Sequence, residues 1–134
     1  MKKVADTYKL ADAMVEQAAP DANYTVPTDG DVAYIQNKGK LVVGITEFEP
    51  MDYKDASGNW IGFDADMAKL VAEKLGVDIE FTVINWDNKI MELDSKSIDV
   101  VWNGMTLTDE VKNSMECTNP YFNNAQVVVT KAAE

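Results

Sequence analysis

The sequence predicts an α/β sandwich, a sheet with helices packed on its faces. Three observations carry that prediction. Leu41-Val42-Val43-Gly44-Ile45 is a continuous apolar run, as expected of a strand covered on both sides. From there, strand-like and helix-like segments alternate toward the end of the chain. Polar and aromatic residues gather just after the predicted strands, where sheets of this class place ligands.

Residues 1–38 read as an N-terminal helical appendage and linker. Leu10, Ala11, Met14, Val15 and Ala18 recur at helical spacing, which predicts an amphipathic helix over Asp6 to Ala18. Ala19-Pro20-Asp21 should end it, since proline lacks the N–H the ladder needs. Asn23 to Asp31 reads as a loop, and Asp31 to Lys38 as a short helix stopped by Gly39.

The core begins with the strand at Leu41. An irregular segment around Pro50 follows, then a turn at Asp55 to Asn59 that would join Met51–Tyr53 and Trp60–Gly62 as a hairpin. Asp64 is a good residue type for a helix N-cap. The helix it would open carries Met67, Leu70, Val71 and Leu75 on one face and is closed by Gly76. Val77 to Ile84 predicts a second strand, and Trp86 to Leu93 a short helix with Ile90, Met91 and Leu93 inward. Ile98 to Trp102 predicts a third strand, Thr108 to Met115 a helix, and Gln126 to Thr130 a last strand.

Composition narrows function. The chain has 134 residues, enough for one domain. It carries 12 Lys plus Arg against 23 Asp plus Glu, a formal charge of −11. That balance argues against a nucleic-acid partner, whose phosphates require cations, and against an anionic membrane surface. Every cation is a lysine, so histidine acid–base chemistry, histidine metal ligation and a guanidinium grip on carboxylates are all excluded. Cys117 is the only cysteine, which rules out an internal disulfide and a cysteine metal cluster. No cofactor and no metal site are expected. Met1-Lys2-Lys3 opens like a signal peptide, but Asp6 and Lys9 interrupt the apolar stretch that should follow. The chain is expected either to be cytosolic or to have lost an export signal.

Three loops follow strand ends: Thr46 to Met51, Asn85-Trp86-Asp87, and Asn103-Gly104-Met105-Thr106-Leu107-Thr108. Together they offer aromatic faces, carboxylates, hydroxyls and backbone groups, a mixture suited to a small polar, zwitterionic ligand. Plainer roles stay open. Phe48, Met51 and Trp86 are also packing residues, Glu47 and Glu49 a solvated edge, and Gly104 a backbone requirement. Thr108 is a natural N-cap, which leaves Thr106 facing the ligand.

The segment Gly62 to Gly76, GFDADMAKLVAEKLG, together with WNGMTLTDE from Trp102 and Pro120-Tyr121-Phe122, resembles the first lobe of bacterial extracellular solute-binding proteins that feed amino acids to ABC importers. The resemblance runs from Gly39 to Lys131, 93 of 134 residues. It implies a three-layer lobe of the type II periplasmic binding protein fold, truncated before the second lobe, with 132–134 starting a hinge crossover. It implies that Glu47 lies near the ligand side chain, that Phe48 and Met51 form apolar wall, and that Trp86 packs on the ligand. Asn103 and Gly104 would accept from an α-ammonium, with Met105 beside them, and Thr106 would meet both the α-amino and α-carboxylate groups. The implied protein is extracellular or periplasmic, membrane-tethered at full length, and not an enzyme. Its implied partners are a small polar ligand, an amino acid, and a membrane permease.

Two departures stand out. Val111 occupies the position where the family usually has an arginine to clamp the α-carboxylate, a bond of about 1.5–3 kcal/mol. Either the ligand lacks a free α-carboxylate or another group holds it. An isolated lobe would also present an open half-site that binds weakly, and an uncovered apolar surface favouring self-association. The Asp6–Ala18 helix is a candidate cover for that surface. A ligand-sensing receptor module and a dehydratase-like enzyme are the alternative classes.

Overall fold

The computed structural model describes residues 1–133, so Glu134 of the expected crossover lies outside the described residues. The amino-terminal segment departs from expectation. Helix α1 spans Lys2–Thr7 and ends where Lys9 turns left-handed at φ 58°. There the Leu10 N–H donates to Ala5 O at 2.8 Å and the Lys9 N–H to Asp6 O at 3.2 Å. Those two bonds close a helix C-terminus in the pattern that usually uses glycine. The predicted Asp6–Ala18 helix is therefore not formed. A single 3-10 turn at Ala11–Ala13 follows, and Met14 is extended and bridged to Phe122.

The next elements follow the predicted order. Helix α2 (Asp31–Lys38) stops at left-handed Gly39. Strand β1 (Lys40–Ile45) follows, buried from Leu41 onward. The hairpin is β2 (Tyr53–Lys54) with β3 (Trp60–Ile61), shorter than predicted and preceded by a cis Glu49–Pro50 bond. Then come α3 (Phe63–Leu75), β4 (Asp78–Val83), α4 (Lys89–Asp94), β5 (Val100–Val101) and α5 (Asp109–Ser114).

The sheet runs β4-β1-β5, and both pairings are parallel. Leu41 and Val43 point to one face, where Ile35 of α2 and Ala68 and Ala72 of α3 pack on them. Val42 points to the other, against Ile84 and Ile98 with Leu93 of α4 alongside. Helices thus cover both faces, which gives the three layers. Close approach on the second face depends on Gly44, where a Cβ would lie 2.5 Å from Ile98 Cδ1. Below the sheet, Lys38 Nζ donates to both Asp99 oxygens at 2.7 Å, and Asp99 accepts from the Val42 N–H, tying α2 to the strands.

Three further expectations are corrected. The α3 face on the sheet carries Val71 and Leu75, as expected, beside Ala68 and Ala72, whose small side chains let the helix sit close; Leu70 is 40% exposed and lines a cleft with α1 instead. Met91 is exposed, so only Ile90 and Leu93 of its helix face inward. Gln126 to Thr130 forms no strand, and Val127, Val128 and Val129 are 78–90% exposed. A strand is stable only when its backbone groups are paired, and no strand among the described residues lies beside this run. No helix among the described residues is long and apolar enough to cross a membrane.

One surface of α3 is covered within the same molecule, by α1 rather than by a helix over Asp6 to Ala18. Ala5 of α1 is fully buried, and α1 packs on α3.

Candidate functional site

Because β1 is central and all three sheet strands are parallel, the loops after β1, β4 and β5 leave from one edge. Asn103 couples two of them. Its Oδ1 accepts from the Thr46 N–H at 2.8 Å, and its Nδ2 donates to Thr46 Oγ1 at 2.6 Å. The side chain is buried, with both polar ends engaged, so it joins the loops rather than presenting a free acceptor at the surface.

Gly104 is where the predicted residues meet. Its φ is +61°, and a Cβ there would lie 3.3 Å from Met51 Cγ, 3.4 Å from Phe48 Cε1 and 3.4 Å from Asp64 Oδ2. Phe48 is 53% exposed and Met51 half-buried, so the first presents an open aromatic face beside the second. The loop carrying them is tightly folded, with the Phe48 N–H donating to Asp52 O at 2.6 Å and the Met51 N–H to Phe48 O at 2.8 Å.

Glu47 is exposed at the rim and Met105 is half-buried. Thr106 is exposed, but its Oγ1 accepts from Asn124 Nδ2 at 2.9 Å, so a ligand would compete with that amide. Trp86 opens a 3-10 turn at the end of β4, where Asn85 Oδ1 accepts from the Asp87 N–H. Lys89 Nζ lies 4.8 Å from the Trp86 ring centroid, a cation already stacked on the indole. Thr108 caps α5 as expected, its Oγ1 accepting from the Val111 N–H at 3.2 Å. Val111 is 7% exposed, so this position faces inward.

Asp64 is the residue that sequence reasoning misplaced. It is not the N-cap of α3; Gly62 is, at φ 116°, and Asp64 lies within the first turn, fully buried. Its Oδ1 accepts from Trp102 Nε1 at 3.0 Å and from the Tyr121 hydroxyl. Its Oδ2 lacks a hydrogen-bond partner and lies against Gly104. Burial pushes the Asp64 carboxyl up to about 6, with Tyr121, Trp102 and the Gly104 amide opposing the rise. Burial also drives the Tyr121 hydroxyl well above its ordinary value, and the Asp64 charge adds to this.

Asp52 is buried too, and neither of its oxygens has a hydrogen-bond partner. Burial first, and the charge of Asp64 second, push its carboxyl up to about 8, while the Ala65 amide, short of hydrogen-bonding geometry, opposes the rise. A protonated Asp52 beside an ionised Asp64 is the arrangement these shifts favour at neutral pH. Sequence offered one signal for Asp64, its place in Gly62-Phe63-Asp64. It offered none for Asp52.

The edge is an open surface. Two shallow, open clefts lie elsewhere, against the amino-terminal segment: one of about 470 Å³ lined by residues including Met1 and Met14, the other of about 380 Å³ between α1 and α3.

Residues 41–134 match the model of bacterial extracellular solute-binding proteins, family 3. A probable histidine-binding protein of Neisseria gonorrhoeae is 38% identical over 95 residues, which cover 69% of this chain and 35% of that protein. The L-cystine-binding protein TcyJ of Escherichia coli K12 is 32% identical over 108 residues, covering 79% of this chain and 41% of the relative. The chain thus spans well under half the length of these curated relatives. Among solved structures, an arginine-bound mutant of domain 1 from TmArgBP superposes with a TM-score of 0.64 at 40% identity, covering 68% of this chain and 71% of that one. An ancestral amino-acid-binding protein described as a precursor of cyclohexadienyl dehydratase gives 0.60 at 39% identity, covering 63% of this chain and 37% of that one.

Proposed function

The chain belongs to the bacterial extracellular solute-binding proteins of family 3, and from that premise we propose that it is the first ligand-binding lobe of an ABC importer's substrate-binding component. The ligand is an amino acid or a related small polar solute. The observation that carries this reading is the meeting of Phe48 and Met51 over Gly104, at the carboxyl edge of a parallel sheet. An aromatic wall there, next to backbone groups and the exposed Glu47 and Thr106, suits a molecule with an apolar stem and polar ends.

Phe48, Met51, Gly104, Met105 and Thr106 line the half-site, with Glu47 at its rim and Trp86 flanking it after β4. Asn103 holds the first and third loops in register. In the whole protein a second lobe closes over this edge, and a permease receives the loaded pair. The setting is outside the cytoplasmic membrane, with the full-length protein tethered to it. The role is binding without catalysis: the chain has no histidine or arginine, and Asp52 and Asp64, the carboxyls raised by burial, are sealed from solvent. That a single domain of TmArgBP has an arginine-bound crystal form supports ligand binding by one lobe.

The test is a thermal-shift screen of this chain with L-arginine, L-histidine, L-cystine and the remaining amino acids, alongside sugars and polyamines. Stabilisation by at least one amino acid, lost in Phe48→Ala, is expected. Stabilisation by a different solute class alone would overturn the substrate assignment.

A further inference from the structure

Residues 1–17 precede the matched family segment, which begins at 41, and the function proposed above gives them no task. They are nevertheless docked at two points, and both lead to the ligand loops.

The first point is Tyr8. Its hydroxyl donates to Asp66 Oδ2 at 2.6 Å and accepts from the Gly62 N–H at 2.9 Å. Gly62 is where α3 begins and where the chain runs against the first loop. A Cβ there would lie 2.3 Å from Met51 O, and the next two amides donate back to that loop, Phe63 N–H to Pro50 O and Asp64 N–H to Met51 O. Tyr8 therefore grips the turn on which Met51 rests.

The second point is a short antiparallel pairing. Met14 is bridged to Phe122, the Val15 N–H donates to Tyr121 O at 2.9 Å, and the Asn123 N–H donates to Ala13 O at 2.9 Å. Gln17 Nε2 adds a bond to Pro120 O at 2.7 Å. The clamped segment carries Tyr121, whose hydroxyl holds Asp64 Oδ1, and the other oxygen of that carboxylate lies against Gly104. The Phe63 ring packs on Tyr121 and Phe122 at 5.6 and 4.4 Å between centroids, which joins the two points through α3.

We infer that residues 1–17 form a strap that positions the first and third ligand loops, with Tyr8 and Tyr121 as its positioning residues. Ligand affinity then depends on contacts made entirely behind the cleft. The inference rests on the ligand-binding reading above. Each docking point includes hydrogen bonds to backbone groups, at Gly62 in the first and at Pro120, Tyr121 and Asn123 in the second, so each sets the placement of main chain, which is what Gly104 and Met51 contribute to the edge.

Two variants of the full chain test it. Tyr8→Phe keeps the ring and removes both hydroxyl bonds; Val15→Pro removes the N–H that reaches Tyr121. Site-resolved hydrogen exchange is measured without ligand, and L-arginine binding is measured by calorimetry well below the melting temperature. The strap predicts faster exchange at 47–52 and 103–106 in both variants, with arginine affinity weakened by about 3- to 30-fold. A merely structural arm would lower the melting temperature while leaving loop exchange and affinity unchanged, and that result overturns the proposal. If the unmodified chain takes up neither L-arginine, L-histidine nor L-cystine, the ligand reading fails by itself and loop exchange alone decides the strap. Should one variant not fold, the other carries the measurement.

Discussion

Replacing Asp52 by asparagine probes the buried acid pair through pH. Asp52 is fully buried, its oxygens have no hydrogen-bond partner, and its carboxyl is raised from 3.8 to about 8. A carboxyl whose folded value lies above its unfolded one holds its proton longer in the native state. Its contribution to stability is fully present below about pH 4 and is lost as pH rises through about 8. Between those limits unfolding releases one proton, so stability falls by about 1.4 kcal/mol per pH unit, or about 3 kcal/mol from pH 5.5 to 7.5. Asp64, raised to about 6, adds a loss of the same sign at the lower end of that range. Histidine, which ordinarily titrates in this window, is absent from the chain, so the acid pair should dominate the slope. The assay is urea unfolding at pH 5.5, 6.5, 7.5 and 8.5. The unmodified chain should lose stability steadily, while Asp52→Asn, which cannot ionise, should lose much less. The two curves should lie close at pH 5.5 and diverge above it. A flat profile for the unmodified chain, or an equal slope in Asp52→Asn, would refute the reasoning.

Three other substitutions read out individual supports. Gly62→Ala places a Cβ against Met51 O at a φ that disfavours side chains, and should cost about 2–4 kcal/mol in chemical denaturation. Asn103→Ala removes both bonds to Thr46 and leaves the Thr46 amide without its acceptor; a loss of about 1–3 kcal/mol is expected, with faster amide exchange at Thr46. Thr108→Ala removes the cap of α5 and should cost about 1 kcal/mol, measurable as a lowered urea midpoint with unchanged slope.

The fold was legible wherever a local pattern and its tertiary use coincide. The run at Leu41 is apolar because both sheet faces are covered, and Gly39 and Gly76 end helices through their own backbone angles. Thr108 caps a helix with an oxygen that reaches three residues ahead. Failure came where the deciding partner is distant. Asp64 has the residue type of a cap, yet its hydrogen bonds come from residues 38 and 57 positions later. The Asp6–Ala18 pattern was helical in spacing, but the left-handed turn at Lys9 and the pairing of Met14 with Phe122 override it. Val127 to Val129 has strong strand propensity, but no strand among the described residues lies beside it. At the site, the convergence of Phe48, Met51 and Gly104 followed from their positions after strands. The engagement of Asn103 by Thr46, and of Thr106 by Asn124, required the fold itself.

The exposed stretch from residue 18 to residue 30 joins the docked segment to α2, which Lys38 and Asp99 anchor beneath the sheet. Residues 1–17 are therefore a tethered ligand of their own lobe. Tethers of this length hold an effective concentration on the order of millimolar. Release of the segment would be local and quickly reversed, because it stays joined to α2 and cannot diffuse away. A separate peptide copying residues 1–17 would have to reach that same concentration before it displaced the resident one. Cleaving the chain between residues 18 and 30 would abolish this advantage and make docking depend on dilution, although no contact at either docking point would change.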